Sequence, residues 1–306
     1  MKIPNDFKGK VLRIFGEEGD LWLENLDQTI HLCKEKWNLT NCTLSKDLSM
    51  NLICFADSKY GHVALKVGVP HRDLFTEMEA LSIYKGRNIC NLYDYDVDLG
   101  ALLLERIRPG VQLLSLENTS ERIAIASELI TKLPISIDRD GKHSLPYYRD
   151  WIQRAFARSR RENKVGNKML SYINVAEDLF NRIENQSSKR ALLHGDLHHE
   201  NILRTSNGWK AIDPKGVIGL PYMESARFME NQIDMVDSSE RLNCLNEMTE
   251  LFSNKFNEPM ANIAASVFIL RVLSICWTFE EHKQPDNISD IIDGCELLLS
   301  YFKSLQ

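Results

Sequence analysis

The 306-residue sequence contains neither GxxxxGK[ST] nor GxGxxG. Both are backbone cradles for phosphate at the start of a helix, so the nucleotide folds that depend on them are disfavoured. Glycine and proline are sparse, at 15 and 9 residues, and no Gly/Ser linker, short repeat or low-complexity tract breaks the chain. Any two lobes must therefore meet at a compact hinge. Seven cysteines occur, an odd number without a CxxC pair. They read as reduced, mostly buried thiols of a cytoplasmic protein. There is no basic excess either. Lys+Arg number 37 against 43 Asp+Glu, a net charge of −6, which disfavours a nucleic-acid partner. The first twenty residues lack the apolar core of a secretory signal. One long apolar run, Ile263 to Phe279, carries Arg271 at its centre. A mid-bilayer arginine is costly, so the run is predicted to be a buried core helix and no membrane partner is expected.

The composition is that of a globular chain, 43% apolar and 26% charged. Its length suits two domains. The negative charge gathers late: from Gly216 to Gln306 there are 14 acidic residues against 6 basic ones. Such a region could attract a cationic ligand, although solvated acidic helices are the plainer reading.

Periodicity predicts a helix over about Pro4 to Trp37, with Leu21, Leu26, Ile30, Cys33 and Trp37 on one stripe. A hairpin follows, Leu52–Asp57 and His62–Val69, turning at Gly61. Along its second strand Val63, Leu65 and Val67 share one face, which leaves Lys66 as a lone charge on the other. Arg72–Lys85 is predicted as a helix. There Glu77 falls on the apolar side with Leu74, Met78 and Leu81, and Glu79 is its competitor as a partner for Lys66. A strand pair around Ile89–Tyr95 and Ala101–Glu105 leads to a turn at Arg106–Gly110, where the hinge is placed. Domain bounds of 1–105 and 106–306 follow. Beyond the hinge the pattern is mostly helical, except for a strand island at Ala191–Leu203 and Trp209–Ile212. A short β insertion among helices is where loop-borne chemistry is expected.

That island holds the strongest signal, His194-Gly195-Asp196-Leu197-His198-His199-Glu200-Asn201, with Asp213 twelve residues beyond Asn201. Phosphoryl transfer needs one carboxylate to take the proton from an attacking hydroxyl. It needs a second carboxylate and an amide oxygen to hold hard cations against the phosphates. Two carboxylates about 5 Å apart repel by about 3 kcal/mol at an effective dielectric of about 20, which favours a cation nearby. All the ligands are oxygens, which suits Mg²⁺. A zinc reading of His194, His198 and His199 lacks a fourth ligand. In chain order, Lys66, Glu77, the hinge, Asp196, Asn201 and Asp213 follow the order of a kinase site.

At this point the sequence resembles the aminoglycoside phosphotransferase superfamily, and most closely its streptomycin 6-phosphotransferase/hydroxyurea phosphotransferase branch. The likeness runs from about Ser49 to Arg227. It is carried by Val63-Ala64-Leu65-Lys66-Val67-Gly68, Glu77-Met78-Glu79-Ala80-Leu81, Leu103-Leu104-Glu105-Arg106-Ile107-Arg108-Pro109-Gly110, the His194–Leu203 segment and Ile212-Asp213-Pro214-Lys215-Gly216. The resemblance implies an α+β, protein-kinase-like two-lobed fold, with a small β-rich N-lobe and a larger, mainly helical C-lobe. It implies ATP and Mg²⁺ as cofactors and a small-molecule hydroxyl as acceptor, aminoglycoside or hydroxyurea-like. Asp196 looks like the catalytic base, Asn201 and Asp213 the metal ligands, and Lys66 with Glu77 the phosphate-clamping pair. Glu105 and Ile107 would offer backbone groups to adenine, His194 would brace the loop, and Lys215 would reach a phosphate. By position, Glu224, Glu230 and Asp234 are candidates for an acceptor cation, with ordinary surface acids as the alternative. Two other readings stay open: a non-catalytic nucleotide-binding regulator on the same scaffold, and a metabolite kinase with an unrelated acceptor. The hairpin departs from a Gly-rich phosphate loop, having only Gly61 in its turn, and does not distinguish ATP from GTP.

Overall fold

A computed structural model describes residues 3–46, 48–137, 143–162, 165–280 and 288–306. They belong to two compact units, Met1–Val111 with Leu203–Lys215, and Gln112–Ile202 with Gly216–Gln306. The sequence reading placed a single cut after Glu105. The units do not follow chain order, because the hairpin beyond Leu203 pairs with early residues: Cys90 N donates to Ala211 O at 2.9 Å and Ala211 N to Asn88 O at 2.9 Å.

The first unit begins with α1 (Asn5–Trp37), which is kinked at Gly16, where φ is 55° and ψ −128°. Its buried side chains are Phe7, Val11, Trp22, Leu26, Ile30, Cys33 and Trp37. Leu21, expected in that stripe, is 62% exposed. It lies one position, about 100° of helical rotation, before the row that Trp22 heads. Then come β1 (Thr40–Leu44), β2 (Leu52–Ser58), β3 (Gly61–Val67), α2 (Arg72–Tyr84), β4 (Leu92–Asp96), β5 (Ala101–Glu105) and β6 (Pro109–Gln112). The order of the five-stranded sheet is β1-β2-β3-β5-β4, with each neighbouring pair antiparallel. The edge strand β1 is an addition to the elements read from sequence. Val63, Leu65 and Val67 pack with Leu52, Cys54, Leu103 and the apolar stripe of α1 in one core. Strand alternation therefore turns Lys66 to the opposite face of the sheet.

In the second unit α3 (Thr119–Lys132) starts at Asn118, whose side chain accepts from Glu121 N at 2.9 Å. Next are β7 (Ile135–Ser136), α4 (Tyr148–Glu162), α5 (Gly166–Gln186) and β8 (Ala191–Leu193). After the insertion formed by β9 (Ile202–Thr205) and β10 (Gly208–Ala211) come β11 (Val217–Gly219), α6 (Glu224–Asp234), α7 (Arg241–Phe256), α8 (Met260–Glu280) and α9 (Ile288–Ser304). β8 is the centre of the small sheet β11-β8-β7, and β9 lies between β10 and β6. The apolar run is α8, the core helix of this unit, packed against α4, α5, α6, α7 and α9. It is long and apolar enough to cross a membrane, and 67% of its most apolar window is buried inside the protein. Its arginine is held by acids: Arg271 Nη2 donates to Asp234 Oδ1 at 2.6 Å, and Nε lies 3.6 Å from Glu230 Oε1.

Candidate active site

In the first unit, β3 and α2 bring Lys66 and Glu77 together. Lys66 Nζ donates to Glu77 Oε1 and Oε2 at 2.8 and 2.7 Å, and both residues are buried. This settles the choice between Glu77 and Glu79. The same ammonium donates to Asp213 Oδ1. Asp213 sits in the left-handed region at φ 63°, a conformation aspartate tolerates better than bulkier side chains, in the turn that closes at Gly216 with φ 71°. Burial alone would pull the Lys66 ammonium down, but Asp213 and then Glu77 outweigh it and raise its pKa. Two carboxylates share one ammonium here, so the more buried acid gives way. Burial raises Glu77 toward about 7 against the pull of Lys66.

Glu105 at the end of β5 is tied through its side chain. Its oxygens accept from Lys210 Nζ at 2.7 and 3.0 Å and from Asn91 Nδ2 at 2.7 Å, and its own amide donates to Asn91 O at 2.8 Å. The Glu105 side chain is thus committed to protein partners, and Ile107 in the following turn is buried. Lys215 is half-buried in the Asp213 turn.

In the second unit the loop after β8 is braced from several sides. His194 is fully buried; its carbonyl accepts from Gly216 N at 3.2 Å and its ring Nδ1 from Asp196 N at 3.3 Å. Glu224, at the start of α6, accepts from His194 N at 2.6 Å and Gly195 N at 3.4 Å. Asn201 Nδ2 donates to Asp196 O at 2.9 Å. With its nitrogen committed there, the group that Asn201 can offer a ligand is its oxygen. His199 Nε2 meets Gln232 Oε1 at 2.9 Å, and the same oxygen accepts from Arg122 Nε at 3.1 Å. An oxygen bonded by an arginine can only accept, so Nε2 of His199 carries the proton. Burial lowers the pKa of His199 to about 4 and keeps the ring neutral, stacked on Phe228.

The acceptor candidates land differently from expectation. Glu224 and Glu230 are 2% and 4% exposed, so they are not surface acids. Glu224 holds the loop backbone. Burial, opposed by the His194 and Gly195 amides, raises its carboxyl to about 7. Glu230 accepts from Arg227 Nη1 at 3.1 Å and lies beside Arg271, which also holds the half-exposed Asp234. All three acids are engaged by protein donors. Sequence reasoning missed Arg227, whose Nε donates to Asp196 Oδ1 at 2.9 Å. The available signal was a lone arginine in an acid-rich helix, three residues before Glu230 and seven before Asp234. It also missed Trp151, whose ring lies against Gly195.

The structure thus gathers Lys66, Glu77 and Asp213 in one unit, and His194, Asp196, Asn201 and Glu224 in the other. Among the described residues no group of three or more His, Cys, Asp or Glu side chains stands ready for a metal. Asp213 and Asn201 each offer oxygen, the donor type that Mg²⁺ takes, since that ion keeps several waters and binds through one or two carboxylates plus substrate phosphates.

Comparison with known proteins gives the family and the fold. Residues 45–281 match the family described as aminoglycoside/hydroxyurea antibiotic resistance kinase. A streptomycin 6-kinase of Streptomyces griseus is 25% identical over 72% of this chain and 71% of its own length. A hydroxyurea phosphotransferase of Kitasatospora aureofaciens is 27% identical over 73% and 66%. Among solved structures, a thermostable mutant of an aminoglycoside phosphotransferase in complex with ADP and hygromycin B matches at TM-score 0.60 and 14% identity, over 90% of this chain and 97% of its own. A choline kinase from Streptococcus pneumoniae matches at TM-score 0.59 and 14% identity, over 90% and 99%. These structures establish the protein-kinase-like fold, and the family match establishes the kind of enzyme: the chain belongs to the aminoglycoside/hydroxyurea antibiotic resistance kinase family.

Proposed function

We propose that this kinase moves the γ-phosphoryl group of ATP to a hydroxyl of a small polar acceptor, a streptomycin-like aminoglycoside or hydroxyurea. The observation that carries the reading is the Asp196 loop, whose backbone is held on both sides by His194, Glu224 and Asn201. A carboxylate on a braced loop is positioned for one proton, which is what this chemistry asks of the protein.

In this reading Asp196 orients the acceptor hydroxyl and takes its proton on Oδ2, since Oδ1 is engaged by Arg227. The acceptor oxygen bonds to the γ-phosphorus as the bond to the β-phosphate oxygen breaks, and ADP leaves. Lys66, kept cationic by Asp213 and Glu77, holds the α- and β-phosphates, and the backbone at Glu105 and Ile107 takes the base. Asn201 and Asp213 would hold Mg²⁺, which when bound offsets the phosphate charge. Lys215 adds a cation beside Asp213. A cytoplasmic location, where ATP is supplied and thiols stay reduced, belongs to the same proposal.

The test is ADP release by the purified protein against a panel of aminoglycosides, aminocyclitols and hydroxyurea. Turnover with at least one acceptor is expected. An Asp196→Asn variant should retain ATP binding and lose about 10²–10⁴-fold in kcat, the range for a missing general base. Wild-type rates in that variant would refute the role of Asp196.

A further inference from the structure

Asp196 does not stand alone in the second unit. Its Oδ1 accepts from Arg227 Nε at 2.9 Å; Arg227 Nη1 donates to Glu230 Oε2 at 3.1 Å and to Ser274 Oγ at 3.3 Å. Ser274 Oγ also donates to Glu230 Oε2 at 3.3 Å. Glu230 Oε1 lies 3.6 Å from Arg271 Nε, and Arg271 Nη2 donates to Asp234 Oδ1 at 2.6 Å. Five charges therefore alternate in sign from the loop outward: Asp196, Arg227, Glu230, Arg271, Asp234. Helical spacing builds the series, since Arg227, Glu230 and Asp234 lie along α6 at intervals of three and four, and Arg271 and Ser274 three apart on α8.

Within this series Arg227 makes a single bond to Asp196 through Nε and uses Nη1 for its anchors. A bidentate grip would occupy both carboxylate oxygens. The single bond fixes the direction of the side chain and leaves Oδ2 to the acceptor. From this geometry we infer that Arg227 is the positioning residue for the catalytic carboxylate, with Glu230 and Ser274 setting the plane of its guanidinium. The inference rests on the assignment of Asp196 as the proton acceptor. It also gives the acceptor candidates Glu230 and Asp234 a place in the series, where they hold Arg227 and Arg271.

A plain structural staple would make the same contacts, so the test must separate holding the fold from aiming Oδ2. Arg227→Ala removes the guanidinium at a side chain that is 30% exposed, within reach of a small solute. The expected result is a folded protein with KM for ATP within about twofold of wild type and kcat lowered about 10²-fold, the cost of misplacing a reacting group by about 1 Å. Free guanidinium, added below denaturing concentration, should restore part of kcat, and the same concentration of sodium chloride should not. Glu230→Gln gives a second reading that does not depend on Arg227→Ala folding: it loosens the anchor and should lower kcat about tenfold with KM for ATP unchanged. The inference is overturned if Glu230→Gln keeps wild-type kcat, or if a folded Arg227→Ala keeps it or loses it without any guanidinium response. An absence of wild-type turnover with every acceptor in the panel would instead overturn the proposed acceptors, so the two failures are distinguishable.

Discussion

Replacing Gly195 with alanine tests the architecture of the loop most directly. Gly195 has φ +80°, a backbone conformation that costs an L-residue about 1–2 kcal/mol. An added Cβ would meet Trp151 Cη2 at 2.9 Å and Val217 Cγ1 at 2.9 Å. Neither neighbour is a loose side-chain end. Trp151 is held between Tyr148 and Trp277, with ring centroids at 5.4 and 5.5 Å, and Val217 lies on β11, paired with Leu193. Overpacking of this kind costs about 1–3 kcal/mol, so the total expected is about 2–5 kcal/mol. Part of the strain is relieved by displacing the loop, which carries Asp196 with it, so kcat should fall about 10²-fold. Urea unfolding followed by tryptophan fluorescence reads the first effect and ADP release the second. Trp151→Phe removes the ring atoms nearest the added methyl, so the double variant should be more stable than the sum of the singles by about 1 kcal/mol. The backbone part of the penalty stays. A Gly195→Ala protein with the wild-type urea midpoint and turnover would refute this account of the loop.

Other outcomes follow from the buried charges. Lys66→Met leaves Glu77 buried without its ammonium and should cost about 3–5 kcal/mol in urea unfolding; adding Glu77→Met should recover part of that, whereas strictly additive losses would contradict a coupled pair. Glu224 is an acid whose folded pKa, about 7, lies above its ordinary 4.5, so its stabilising contribution is full below 4.5 and is lost as pH rises to about 7. The shift corresponds to about 3 kcal/mol, and Glu224→Gln should flatten the stability profile across that window. Parallel profiles for wild type and variant would show that Glu224 does not titrate there.

Much was legible before any coordinates because it depends on local spacing. Alternation along β3 predicted that Lys66 would be the odd charge on its strand, and the stripe of α2 predicted that Glu77 would be buried. The loop around Asp196 was read from residue types that few other settings need together. The stripe of α1 is read one residue early at Leu21, because Leu21 and Trp22 are both apolar and only packing decides which of them faces the core.

The linear sequence determined the family and the order of the candidate donors and acceptors along the chain, since residue identity and spacing are local properties. The tertiary structure decided who partners whom. It tied Glu105 to Lys210 and Asn91, gave Glu224 to the loop amides, and put Arg227 on Asp196. It also placed Asp213 in the unit of Lys66 rather than that of Asp196. These pairings join positions 14 to 105 residues apart, and the fully buried Glu224 must find partners because burying a charge alone is costly. Spacing along the chain carries no record of a partner that only folding brings near.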